Sequence, residues 1–195
     1  MALTERQTET LSRRLSAMAA RFARRYKARW NEEVTRALAG IAGLMTAGLV
    51  EAATAETPKA SHLVAGSEYL ERVKLRLPSL RSDLAEIVRD FREESYERTR
   101  EAHGFEATGK GRTAARARLT NGAQLQALIK GTTDRYIDTL RQTIVIAAPD
   151  GTTVDQAIDA VRRSLKQSLS QVVGSSANVL FAGTGSGYQT AIEED

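Results

Sequence analysis

Residues 4–50 read TERQTETLSRRLSAMAARFARRYKARWNEEVTRALAGIAGLMTAGLV, and the spacing of their apolar side chains decides the fold class. Leu11, Leu15, Met18, Phe22, Tyr26, Trp30, Val34, Leu38, Ile41, Met45 and Leu49 recur every three or four positions. On a helix this spacing makes one slowly drifting stripe, and Arg13, Arg14, Arg21, Arg24 and Arg25 fall away from it. A helix of this kind is marginal alone in water, so its stripe needs a cover. The rest of the chain supplies further amphipathic helices. The expected class is all-α: a long basic N-terminal helix over 1–51, a linker over 52–62, a helical bundle over 63–173, and a short docking segment with a flexible acidic tail over 174–195. Helix–helix contacts are expected at Leu11, Leu15, Met18, Phe22, Trp30, Val34 and Leu38, and in the last helix at Val154, Ile158, Val161, Leu165 and Leu169.

Punctuation residues set the expected boundaries. Thr4 and Gln7 form a capping box that starts the first helix. Gly40, Gly43 and Gly48 weaken its far end and let another helix approach closely, and Pro58 lies beyond it. Residues 68–77 (EYLERVKLRL) fit a strand through Val73, Leu75 and Leu77, and a helix through Leu70, Val73 and Leu77. No second strand is available to pair with it, so a helix broken at Pro78 is expected. A strong helix follows from Ser79 or Ser82 to His103, with Leu84, Ile87, Val88 and Phe91 on one face and Gly104 as its C-terminal stop. Residues 104–112 read as a mobile loop, and 113–119 as a short basic helix. Gly131-Thr132-Thr133 then introduces a helix that ends before Pro149. Thr153 and Gln156 cap the last helix, which Gly174 closes.

Length and charge bound the function. A chain of 195 residues holds one ordinary domain, or one domain plus an arm. With no cysteine, disulfides, thiolate metal sites and cysteine nucleophiles are excluded. The formal charge of +4 is divided into blocks: +5 over 1–50, −2 over 51–104, +4 over 105–131 and −3 over 132–195. Such alternation suits a protein that touches a polyanion with part of its surface and packs on itself or on copies of itself with the rest. The opening residues lack a signal-peptide core, and the apolar run 37–50 is shorter than the roughly 20 residues a membrane span needs.

The candidate chemistry is sparse. Residues 104–111 (GFEATGKG) match a phosphate-binding loop through Lys110. However, Gly111 stands where a hydroxyl should hold magnesium, and a charged helix precedes the loop where a buried strand is required. Gly183, Gly185 and Gly187 lie at the chain end without the strands of a dinucleotide-binding unit. Glu32/Glu33 and Glu93/Glu94 are sequence neighbours and read as solvated charges. His62 and His103 have no catalytic partner in view. No nucleophile–base–orienter set emerges, so no enzyme activity, cofactor, metal or small-molecule substrate is expected. Two basic features remain: Arg13, Arg14, Arg21, Arg24 and Arg25 on the first helix, and Lys110, Arg112, Arg116 and Arg118 further on. Cations without interleaved aromatics suit neutralisation of a double-stranded nucleic-acid backbone, and equally an acidic partner or a membrane surface.

The C-terminal third adds a resemblance. TDRYIDTLRQTI (133–144), DGTTVDQAI (150–158) and SSANVLFAG (175–183) make a helix, a turn leading to a second helix, and a small-residue segment with an asparagine. This resembles the helical region of tailed-phage minor head proteins, which sit near the portal inside the capsid. In that family an Arg-Thr-Glu cluster precedes the asparagine; here Ser175, Ser176 and Ala177 stand instead. The resemblance implies a structural virion role, several copies around a portal, contact with portal or capsid proteins, and contact with packaged DNA. The alternative is a cytoplasmic helical adaptor or non-specific DNA-binding protein.

Overall fold

The computed structural model describes residues 3–52, 58–104, 123–146 and 154–181, with side-chain surroundings for 3–44, 67–104, 125–142, 159 and 162–181. Four helices fill these segments: α1 (Glu5–Ala52), α2 (Pro58–Ala102), α3 (Ala123–Ile146) and α4 (Val154–Phe181). No strand occurs among the described residues. The chain is all-α, as its periodicity predicts.

The capping box forms as expected. Gln7 Oε1 accepts from the Thr4 amide at 2.9 Å, and Thr4 Oγ1 accepts from the Gln7 amide at 3.4 Å. Two donors that a helix start leaves orphaned are thereby satisfied. At the other end of α2, Gly104 takes φ +77°, and its amide donates to Glu101 O at 3.1 Å, the left-handed stop that glycine adopts without a Cβ penalty.

Four boundaries differ from the expectation, and at the last three packing outweighs local punctuation. Pro58 opens α2 instead of sitting in a linker, at the helix start where its missing N–H costs nothing. Pro78 lies inside α2. Its ring is exposed, which leaves the carbonyl one turn earlier on the solvent side, while Leu77, Leu80 and Leu84 are buried around it. Gly131 lies within α3, where buried Thr132 and Thr133 follow it. Arg81 holds that turn, donating from Nε to Thr133 Oγ1 at 2.8 Å and from Nη2 to Asp134 Oδ1 at 2.9 Å. Gly174 lies within α4, and the run read as a docking segment is that helix's last turn, with Leu180 and Phe181 buried. In the ambiguous stretch of α2 the helical reading holds: Tyr69, Leu70, Val73 and Leu77 are buried, and Leu75 is 81% exposed.

The chain divides into two compact units. The first is drawn from Met1–Ala28, Ser82–Ile129 and Ser175–Asp195. Its core holds Leu15, Met18, Phe22 and Tyr26 of α1 with Leu84, Val88 and Phe91 of α2 and Phe181 of α4. Phe91 meets Phe22 at 5.5 Å and Phe181 at 5.1 Å between ring centroids, and Phe181 meets Tyr26 at 5.8 Å. These separations suit tilted and edge-on aromatic pairs. The buried Tyr26 hydroxyl shares a 2.9 Å hydrogen bond with Ser176 Oγ.

The second unit is drawn from Arg29–Arg81 and Lys130–Gly174. It buries Trp30, Val34, Ala37 and Ile41 of α1, Val73 and Leu80 of α2, Tyr136 and Leu140 of α3, and Leu165 and Leu169 of α4. Trp30 and Tyr136 meet edge-on at 5.5 Å. The close approach expected at the α1 glycines occurs at Gly40: a Cβ there would overlap the Tyr69 ring, whose hydroxyl donates to Ala37 O at 3.1 Å. Gly43 has nothing within 4 Å of where its Cβ would stand.

Of the expected helix contacts, Leu15, Met18, Phe22, Trp30, Val34, Leu165 and Leu169 are buried, and Leu11 and Leu38 are half-buried. The side chains of Val154, Ile158 and Val161 lie outside the described residues.

Candidate functional site

The arginine face of α1 separates into two sets. Arg21 and Arg25 lie along the edge that meets α2. Arg21 Nη2 pairs with Glu94 Oε2 at 2.5 Å and Arg25 Nη2 with Asp90 Oδ2 at 3.5 Å. Both guanidinium groups also rest against the Phe22 ring, 4.9 and 5.1 Å from its centroid. These cations are answered within the chain, so the basic and acidic blocks of the sequence partly neutralise each other across two helices. Glu94 is accordingly no free solvated charge.

Arg13, Arg14 and Arg24 form the other set, and all three are exposed. Counted at 3.6 residues per turn, Arg13 and Arg24 stand roughly opposite Phe22, on the outer side of the helix. Among the described residues Arg13 pairs with Glu9 alone, one turn away, at 2.6 Å in an open setting. Arg14 and Arg24 have no ion-pair partner among the described residues. Surface pairs of the Arg13 kind are worth about 0–1 kcal/mol and yield readily to a polyanion. Lys110, Arg112, Arg116 and Arg118 lie outside the described residues, as does the lysine loop except Gly104. Gly104 terminates a helix, so no strand leads into that loop.

A second cluster was missed by sequence reasoning. Glu33, which the sequence presents as a solvated neighbour of Glu32, is 1% exposed and sits in the core of the second unit. Arg76 Nη2 donates to its Oε1 at 3.1 Å, the Tyr136 hydroxyl donates to the same oxygen at 3.3 Å, and Arg36 Nη1 stands 3.8 Å from Oε2. Burial, helped by the Glu33 charge, pushes the Tyr136 phenol far above its ordinary range. Burial also raises the Tyr69 phenol, against the opposing influence of Arg76. Burial works to lower the Arg76 guanidinium, but the hydrogen bond and charge of Glu33 outweigh it and raise it. With Arg36 of α1, Arg76 of α2 and Tyr136 of α3 converging on it, Glu33 is a polar anchor between helices. Its hydrogen-bond partners lie about 40 and 100 positions away in sequence, beyond any local pattern.

Among the described residues no group of His, Asp or Glu is placed to hold a metal ion. None of the described helices is long and apolar enough to cross a membrane. No protein-family model, curated protein or solved structure matches the chain.

Proposed function

We propose that this chain is a non-enzymatic assembly protein of a tailed-phage particle, acting at the head or head–tail portal vertex and holding double-stranded DNA against the outer face of α1. The observation that carries the DNA contact is the division among the arginines. The described part of the α1 apolar stripe is buried or half-buried, Arg21 and Arg25 are neutralised on α2, and Arg13 and Arg24 remain as outward cations on a rigid helix. Cations fixed along one helix neutralise backbone phosphates without reading bases. The virion assignment is supported by the resemblance of residues 133–183 to minor head proteins. In this reading copies of the chain meet each other, or portal and capsid proteins, through surfaces other than the buried stripe. Leu75 and Val179 are the large apolar side chains left exposed among the described residues.

Binding of the full chain to random-sequence duplex DNA, followed by fluorescence anisotropy across a salt series, tests the contact. The expected result is sequence-independent binding that weakens steeply with salt. Absence of binding at low salt removes DNA and makes the arginine face a docking surface for an acidic protein. Detection of the chain by mass spectrometry in purified particles tests the virion assignment. DNA binding without presence in particles would move the reading to a non-specific DNA-binding protein of the cytoplasm.

A further inference from the structure

A cleft of about 480 Å³ opens between the first turns of α1 and the last turns of α2, within the first unit. Arg6, Arg14, Arg98 and Glu101 supply its charges, and Leu11 and Ala102 its apolar part. The register of the two helices explains why it carries an excess of positive charge. They run antiparallel, with Arg25 on Asp90 and, four residues back on α1 and four forward on α2, Arg21 on Glu94. Seven further residues along each helix, the same ladder sets Arg14 opposite Glu101. Glu101 is instead engaged by Arg98 of its own helix, at 3.1 Å. Neither Arg6 nor Arg14 has an ion-pair partner among the described residues. Three guanidinium groups thus line one concavity against a single carboxylate, an excess of two positive charges at the rung where the seam opens.

We propose that this cleft binds a small phosphate monoester. A phosphomonoester is close to a dianion at neutral pH and matches the excess charge. Guanidinium groups present paired N–H donors in the geometry that phosphate oxygens accept. Leu11 and Ala102 offer an apolar patch for the organic part of the ester. The volume lies within the range of small-ligand pockets. This site does not rest on the DNA reading: Arg6, Arg14 and Arg98 line the cleft, whereas the outward cations Arg13 and Arg24 lie outside it.

The test is a titration of the isotope-labelled full chain with phenyl phosphate and, in parallel, with inorganic phosphate, followed by amide chemical shifts. The proposal expects saturable shifts confined to residues 4–14 and 98–102, with phenyl phosphate binding several-fold tighter than inorganic phosphate. Arg14→Gln and Arg98→Gln should each weaken binding about 10-fold. Glu101→Gln, which removes the competing carboxylate, should tighten it, and Arg24→Gln, outside the cleft, should leave it unchanged. Since all these side chains are at the surface, retention of the native amide spectrum shows that each variant folds. Absence of saturation, shifts spread over arginines elsewhere, or equal weakening by Arg24→Gln and Arg14→Gln would overturn the phosphate site. Equal affinity for the two probes would overturn its ester part.

Discussion

Replacing Glu33 by alanine, beside a matched Glu32→Ala, separates a buried anchor from a surface charge at adjacent positions. Glu32 is 61% exposed and, among the described residues, pairs with Arg29 alone at 3.6 Å. A change there should stay within about 0.5 kcal/mol, as for most surface substitutions. At Glu33 the carboxylate leaves with three consequences. The buried Tyr136 hydroxyl loses its acceptor, at about 1–3 kcal/mol. Arg76, whose side chain is 38% exposed, loses its partner but regains water, so its share is discounted to at most about 1 kcal/mol. The missing side-chain atoms leave a void that adds about 1 kcal/mol. Together these amount to about 3 kcal/mol, against about 1 kcal/mol for Glu33→Gln, which keeps an acceptor and the volume. Urea unfolding followed by far-UV circular dichroism reads the difference as a shift in midpoint at unchanged slope. Equal midpoints for Glu33→Ala and Glu32→Ala would refute the buried anchor.

Further outcomes follow from the same packing. Gly40→Ala should cost about 1–3 kcal/mol by driving a methyl into the Tyr69 ring, whereas Gly43→Ala, in open space, should stabilise α1 by about 0.5–1 kcal/mol; thermal melts of the two variants read the opposite signs. Because the Tyr136 phenol is raised in the folded chain, the unfolded chain releases its proton first as pH climbs past about 10. The unfolded state then binds fewer protons than the native state, so stability falls with rising pH. Absorbance titration should find the Tyr136 phenol ionising only as the fold opens, and Tyr136→Phe should remove that late step.

Much of α1 was legible because its signal is local. The stripe through Leu15, Met18, Phe22, Tyr26 and Trp30 needs only the helix period, and the Thr4–Gln7 cap spans a single turn. Gly104 likewise acts where its sequence position suggests. Pro78, Gly131 and Gly174 read as breaks because local propensity argues for them, yet each is carried inside a helix by buried neighbours contributed from elsewhere in the chain. A proline or glycine costs about 1–3 kcal/mol in a helix, which a few buried leucines or phenylalanines outweigh. Charge pairing was the least legible level. No sequence pattern distinguishes Glu33 from Glu32, or Arg21 from Arg24, until the register of α1 against the other helices is known. The cleft at Arg14 depends on that same register, since Arg98 comes from a distant part of the chain.

The salt dependence of DNA binding by two variant sets tests the functional reading most directly. One set is Arg13/Arg24→Gln, the outward cations; the other is Arg21/Arg25→Gln, the pair already held by Glu94 and Asp90. Each phosphate neutralised contributes about 0.9 to the slope of log affinity against log salt. The first set should therefore flatten the slope by about 2, and the second by less than about 1 while lowering the unfolding midpoint. Equal slopes for the two sets and the unaltered chain would show that the outer face of α1 does not meet DNA.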